Sequence, residues 1–374
     1  MTDAWTIDDA EQLSDFELSI EEQSDLVEAE AEVASVSYSG QDFDIDGLVR
    51  RLNNGDIKIP QFGHEDPSID SAGFQRSFVW NRSQMDRFLE SLLLGYPIPG
   101  IFLVRQTDNV FLVLDGQQRL RTLQHFYSGI FKDRTFALKN VAAKFEGLTY
   151  KSLPPELRRS LDNAFIQATI VAVSGDSENL DAIYQIFERL NSGGTQLTAH
   201  EIRVALFAGQ FIDYLQDLNC DDDWRALYGP PNQRIRDQEL VARILAMYVD
   251  VDEYARPQKT FLNTFVGSNR KSTRPEVVEA GRLFRAAAKL INEAEGAPAL
   301  RRASRQVNNA WTDALFVGVM RRLSQAPLTT EEFSDAHQRL REDPTFQKFV
   351  TGPSADEELV RGRIAAAIKA FCAA

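Results

Sequence analysis

Five consecutive residues, Asp115-Gly116-Gln117-Gln118-Arg119, bring together a carboxylate, a glycine, two carboxamides and a guanidinium. This set suits the binding of an oxyanion. Arg119 can clamp two oxygens bidentately, Asp115 can hold a metal ion, a hydroxyl or a water, and Gly116 lets a ligand come close to the backbone. The flanking pattern predicts where the five sit. Phe111 to Leu114 is an apolar run with strand character, Asp115-Gly116 turns the chain, and Leu120, Leu123 and Phe126 or Tyr127 recur at helical spacing before a helix-ending Gly129. The cluster therefore falls at a strand end and on the first turn of a helix. There, unbonded N–H groups and the helix dipole favour a phosphate or carboxylate. A plainer reading makes Asp115 the helix N-cap and Arg119 one half of a surface salt bridge. Strand–turn–helix corners are common, and composition alone leaves both readings open.

Other residues could contribute. Gln75-Arg76 precedes a helix and a hairpin that lead into the corner, so the topology allows the two polar groups to meet. Phosphoryl chemistry needs positioning and charge neutralisation, which Arg76, Arg119 and a metal held by Asp115 would supply. No His or Cys nucleophile lies in the polar clusters, which disfavours acyl transfer and thiol chemistry. His125 is a candidate general base or, more simply, a packed helix residue. Trp80 or Phe74 could stack on a base, or belong to a core. The segment 267–273, GSNRKST, is only a partial likeness of a phosphate-binding loop and is expected to be a loop. Asp221-Asp222-Asp223 is expected to cap the following helix rather than bind a cation. Arg234, Arg236 and Arg243 either form a basic face or, given the intervening acids, pair internally.

Composition bounds the class. The chain has 374 residues, 43% of them hydrophobic, enough for a sizeable core and two domains. Its two cysteines and four histidines form no Cys/His cluster, which makes a structural zinc site or an HNH-type nuclease centre improbable. With no membrane-length apolar run and no signal-peptide pattern, a cytoplasmic protein is expected. The net charge of −14 is unevenly placed: residues 1 to 46 hold fifteen acids and no Lys or Arg, leaving 40 acids against 41 bases elsewhere. The body is near neutral, so the low pI does not exclude a local basic groove.

The elements that must position the corner follow from periodicity. An acidic, disordered leader is expected over residues 1–42, with folding proper starting near Phe43. A helix through Ile45 to Leu52 ends at Asn53-Asn54-Gly55, and Ile57–Ile59 forms a short strand. A helix N-capped by Ser83 runs to Gly95. A hairpin follows, built from strands at Ile101–Val104 and Val110–Leu114 about a turn at residues 107–109. Strands at Thr135–Leu138 and Phe165–Val173 bracket a helix at Pro155–Asn163. Leu180–Leu190 reads as a helix, and Thr198 opens another through a Thr-x-x-Glu box. Beyond Phe211 only helices are expected. The fold class is thus α+β, with domains at 43–210 and, all-α, at 211–374.

FQRSFVW, then a helix ending GYPIP, VLDGQQRLRTL and IFERLNSGGTQLTAHEIR together closely resemble the N-terminal domain family of the GmrSD modification-dependent restriction endonucleases, over about residues 43 to 210. The resemblance implies a ParB/sulfiredoxin-like fold with a small mixed sheet. It also implies a nucleoside triphosphate of unspecified type as ligand, with Mg2+, bound and hydrolysed in a prokaryotic restriction or anti-phage defence system. Carried over, Gln75 and Arg76 are the first box, Asp115 to Arg119 the second, and Phe187, Arg189 and Asn191 the third. Asp115, Gln118 and Arg119 are then the catalytic candidates, and Gln75, Arg76, Gly116, Gln117, Arg189 and Asn191 the nucleotide-binding ones. Two departures matter. Residues 61–73 look like an insertion before the first box, and the family's C-terminal HNH-like domain is not in this sequence. A partner nuclease is therefore expected, with DNA as a possible partner and no membrane. The alternatives are a DNA-nicking nuclease in its own right and a non-catalytic nucleotide-sensing scaffold.

Overall fold

The computed structural model describes residues 37–59, 80–105, 109–172, 186, 198–232, 234–270, 273–301, 306–351 and 355–372. They divide into two compact units, Val33–Gln196 and one beginning at Leu197, each described by itself. Within the first unit the elements run β1 (Tyr38–Asp44), α1 (Ile45–Asn54), β2 (Ile57–Lys58), α2 (Arg82–Leu93), β3 (Ile101–Arg105), β4 (Phe111–Asp115) and α3 (Gln117–Ser128). A small hairpin of β5 (Ile130–Phe131) and β6 (Arg134–Thr135) follows, then α4 (Pro155–Asp162) and β7 (Phe165–Ala172).

The five-stranded sheet has the order β1-β7-β3-β4-β2 and is mixed: β1 and β4 run antiparallel to β7 and β3, while β7–β3 and β4–β2 are parallel. Leu103, Val113, Ile166 and Ile170 pack on one face against apolar residues of α1, α2 and α3, including Leu48, Leu89 and Leu120. Val104, Leu112 and Val171 pair in register and are also buried, on the opposite face. This double burial explains why β3 and β4 read as continuous apolar runs instead of alternating.

Three expectations need correcting here. Folding starts at Tyr38, not Phe43, because YSGQDFD pairs along its whole length with β7; it is an edge strand whose first five residues are exposed, so it carries no hydrophobic pattern. The N-cap of α2 is Asn81, not Ser83: its side chain accepts from Gln84 N while Gln84 Oε1 accepts from Asn81 N. The strand expected at 135–138 is only the two-residue β6, since Phe136 and Leu138 leave the hairpin to enter the core. The hairpin turn at 107–108 and the helix at 180–190, apart from helical Ile186, lie outside the described residues, as do the leader through residue 36 and the 61–73 insertion.

The second unit is helical: α5 (Ala199–Leu206), α6 (Gln210–Asn219), α7 (Asp222–Tyr228), α8 (Arg236–Val249), α9 (Gln258–Asn269), α10 (Pro275–Ala294), α11 (Asn309–Leu323), α12 (Thr330–Glu342), α13 (Pro344–Thr351) and α14 (Glu357–Cys372). Helix α8 is buried nearly all round, from Leu240 to Tyr248, which marks it as an internal helix. No helix among the described residues is long and apolar enough to cross a membrane.

Candidate functional site

Strand β4 delivers Asp115 through a local irregularity. Phe102 pairs with Asp115 but Leu103 pairs with Val113, so Leu114 is an extra residue at the strand end. Such a bulge re-aims the side chain that follows it. Gly116 then adopts φ 97° and stands as the N-cap of α3, with no side chain to cap the helix. A Cβ there would lie 2.4 Å from Ile101 Cγ2 and 3.3 Å from Arg119 Nη2. The glycine is therefore needed for a left-handed turn and a close packing against β3, which is a more local reason than ligand approach.

Because Gly116 offers no side-chain acceptor, the N–H groups of Gln117, Gln118 and Arg119 have neither an intrahelical partner nor a side-chain cap. Leu120 N closes the first turn on Gly116 O at 3.0 Å. Gln117 is 7% exposed, and its Nε2 is buried with no hydrogen-bond acceptor among the described residues. Leaving such a donor unmade costs about 1–3 kcal/mol. Gln118 Oε1 accepts from Trp80 N at 3.3 Å, tying α3 to the residue before the Asn81 cap. Arg119 Nη2 donates to Asp115 Oδ2 at 2.7 Å and Nη1 to Pro99 O at 3.0 Å. The Arg119 side chain is 11% exposed and that of Asp115 49%. The ion pair of the plainer reading is thus present, but Asp115 is not the N-cap.

Among the described residues no group of three or more His, Cys, Asp or Glu could hold an ion, so Asp115 belongs to no such cluster. One carboxylate supplemented by water and phosphate oxygens is a mode that fits Mg2+. The far end of α3 is anchored by Tyr127 and Tyr150, whose hydroxyls donate to Asp162 Oδ1 at 2.7 and 3.1 Å. Burial and the Asp162 charge push the Tyr150 phenol up to about 12.

The remaining candidates are dispersed. Gln75, Arg76, Phe74, Phe187, Arg189 and Asn191 lie outside the described residues. His125 sits roughly 9 Å along α3 from Arg119 at the helical rise, with Nδ1 3.2 Å from Ile130 O and its ring against Phe131. Burial, with a smaller contribution from Arg121, lowers its pKa. It packs away from the corner. Trp80 packs edge-on against Phe88.

In the helical unit, Asp221 caps α7 by accepting from Asp223 N and Trp224 N. Arg234 pairs with Glu201, and Arg243 shares Asp313 with Arg363, so these arginines are internal and form no basic face. Gly267 to Asn269 are helical, in α9, where a loop was expected. Sequence reasoning also missed a buried polar network around α5. Arg203 Nη1 donates to His200 Nδ1 (3.1 Å) and Glu239 Oε1 (3.2 Å), His200 Nε2 meets Gln238 Oε1 (3.1 Å), and Glu201 both caps Thr198 N and pairs with Arg234. The visible signal was the crowding of His, Glu and Arg into a helix flanked by apolar residues. At the corner itself, the groups missed are the Pro99 carbonyl and the Trp80 N–H, which are backbone atoms with no residue signature.

Fold and corner together define a small α+β domain whose strand–glycine–helix turn is lined by donors, followed by a helical unit. Residues 47–208 match the family model of the GmrSD restriction endonuclease, N-terminal domain, which supports that family for this stretch. The match extends past the unit boundary at 197 to include α5. Neither a curated protein nor a solved structure matches the chain.

Proposed function

We propose that the corner is a nucleoside-triphosphate phosphate site, and that the chain is the nucleotide-binding and hydrolysing module of a prokaryotic DNA restriction or defence system, acting with a partner nuclease. The family of residues 47–208 supports the restriction role. The nucleotide reading rests chiefly on one observation: the Arg119 guanidinium, two of its N–H groups fixed by Asp115 and Pro99, stands on the first turn of a helix whose glycine N-cap leaves the leading amides without a side-chain cap. An oxyanion at this helix start would meet the first-turn amides and the N–H groups that Arg119 leaves unused. Arg119 would hold phosphate oxygens, and Asp115 would orient Mg2+ or a water, while Gln75, Arg76, Arg189 and Asn191 are assigned to the rest of the nucleotide. Mg2+, when bound, neutralises phosphate charge.

The test is isothermal titration of the purified chain with ATP, GTP, CTP and UTP in Mg2+, alongside Arg119→Ala. Binding of at least one, lost in the variant with folding intact, is expected. No binding to any by folded protein would refute the site and redirect attention to the DNA backbone as ligand.

A further inference from the structure

The chain as a whole carries a charge of −14, yet residues 121–159 hold eight Lys or Arg against three Asp or Glu, a net charge of +5. Six of the bases, Lys132, Arg134, Lys139, Lys144, Lys151 and Arg159, are exposed. The fold gathers them. Hairpin β5–β6 leaves the C-terminal end of α3 carrying Lys132 and Arg134, and Phe136 N donates to Gly129 O at 2.8 Å, folding the chain back on that end. Leu138 N then donates to Leu148 O at 2.9 Å and Gly147 N to Leu138 O at 2.8 Å, closing a loop that displays Lys139 and Lys144. Tyr150 stacks on Tyr127 of α3 with ring centroids 4.0 Å apart, which brings Lys151 to the same helix end. Hairpin, loop and the start of α4 therefore form one basic lobe.

These bases are unspent. In the helical unit Arg203, Arg225, Arg234, Arg243, Arg274 and Arg285 each reach a carboxylate. Among the described residues no base within 121–159 does; Arg158 donates instead to the backbone carbonyls of Lys151 and Leu153. Burial lowers the pKa of the half-buried Arg121 with no carboxylate to oppose it, and its charge helps to lower that of His125 one turn on. The unneutralised positive field thus continues from the lobe along α3. Like charges gathered without counter-charge repel, and a polyanion that replaces their small counter-ions relieves the repulsion and gains the release of its own.

A protein partner would need an apolar centre, from which Lys is depleted. The lobe instead displays four lysines on three pieces of chain, and Ile130 is its one exposed large hydrophobic side chain. Scattered point charges suit rows of phosphates, which carry no sequence information. We infer that this lobe docks the phosphodiester backbone of duplex DNA through charge alone, without reading the base sequence. The surface is separate from the strand–glycine–helix corner and goes beyond the nucleotide reading of it.

The experiment is fluorescence anisotropy of a short labelled DNA duplex titrated with the full chain between about 50 and 200 mM salt. A lobe variant combines Lys132→Gln, Lys139→Gln, Lys144→Gln and Lys151→Gln. A control variant combines Lys58→Gln, Lys289→Gln, Lys348→Gln and Lys369→Gln, the same change of charge on exposed lysines elsewhere. Folding of each is checked by circular dichroism. Four lysine–phosphate contacts give a slope of log affinity against log salt of about −3.6, roughly a hundredfold loss across the range. The lobe variant should lose most of that slope and about tenfold or more in affinity at the lower salt, whereas the control variant, Arg119→Ala and a duplex of unrelated sequence should behave as wild type does. No binding at the lower salt, or equal losses in the lobe and control variants, would overturn the inference. So would a loss in Arg119→Ala as large as in the lobe variant, which would move the DNA to the corner. Polyglutamate competing as well as duplex at equal charge would replace DNA by an acidic protein, and a tenfold preference between duplex sequences would refute docking by charge alone.

Discussion

Gly116→Ala separates what the corner's glycine does from what any helix-ending glycine does, because helix α3 supplies its own control. Gly129, at the other end of the same helix, has φ 78° and nothing within 4 Å of where a Cβ would stand. Alanine there costs only the left-handed backbone, about 1–2 kcal/mol. Gly116 has φ 97° and would place its Cβ 2.4 Å from Ile101 Cγ2, a branch held by a residue with 0% exposure. Relieving that overlap adds about 1–3 kcal/mol of the kind seen for overpacked cores. Gly116→Ala should therefore lose about 2–5 kcal/mol and Gly129→Ala about 1–2. The assay is native-state hydrogen exchange over the α3 peptide in the full chain, where local opening is resolved from global unfolding. The 1–3 kcal/mol excess corresponds to roughly five- to 150-fold less protection in Gly116→Ala. The added Cβ would also stand 3.3 Å from Arg119 Nη2, so anion affinity should fall in this variant and be retained in Gly129→Ala. Equal protection loss in the two variants would refute the close-packing argument and leave Gly116 a purely conformational glycine.

His200 is fully buried, and burial first, then the Arg203 charge, pushes its pKa well below the ordinary 6.5. Since the unfolded chain takes up that proton first, the stability held by neutral His200 is complete above pH 6.5 and is lost as pH falls below it. The melting temperature should drop from pH 6.5 to 5.5 and drop less in His200→Gln; an unchanged slope would sink the assignment, once the smaller same-sign term from His125 is removed by His125→Gln. The Glu201–Arg234 pair, each 4% exposed, has its own test. Glu201→Gln alone should cost about 3–5 kcal/mol by removing the carboxylate that faces a buried guanidinium. In urea unfolding, Glu201→Gln with Arg234→Met should cost less than the sum of the two single changes, and simple additivity would contradict a direct coupling.

Much of the architecture was legible from periodicity. Helix α1 with its Gly55 stop, the hairpin pair β3–β4, α3 and the long C-terminal helices all announce themselves, because each buries an apolar stripe or run against a core. The failures have separate causes. β1 is stabilised by backbone pairing with β7 and not by side-chain burial, so YSGQDFD shows no alternation. The Asn81 cap was missed because Ser83, an equally plausible capping residue, stands two positions on, and only the reciprocal Gln84 bond separates them. The eight-residue α13 is too short for a stripe to be told from chance. At the site, residue types pointed to the cluster, yet the partner of Arg119 was undecided: the i,i+4 ion pair and a ligand-facing clamp demand the same residues at the same spacing.

That ambiguity is resolved in part by what the ion pair leaves undone. A bare helix start is not distinctive here, since α6, α8, α9 and α10 also begin without a side-chain cap, and α9 likewise opens on a buried glutamine, Gln258, whose Nε2 has no acceptor among the described residues; what sets α3 apart is the half-exposed Asp115–Arg119 pair beside its start. If the corner were only structural, its polar groups should close on one another, as they do at α2, α5 and α12, where reciprocal capping boxes satisfy both partners. At α3 they do not close. Asp115 takes one hydrogen bond and keeps half its side chain in water, Gly116 excludes any side-chain cap, and Gln117 buries an amide nitrogen with nothing among the described residues to receive it. A structural corner could remove that unmet donor by exchanging Gln117 for an apolar residue of similar volume, at little cost. Retaining it is sensible where an acceptor arrives from outside. On this argument Gln117→Met should stabilise the free chain slightly while weakening phosphate binding, and a variant that neither stabilises nor weakens would remove this ground for reading the corner as a site.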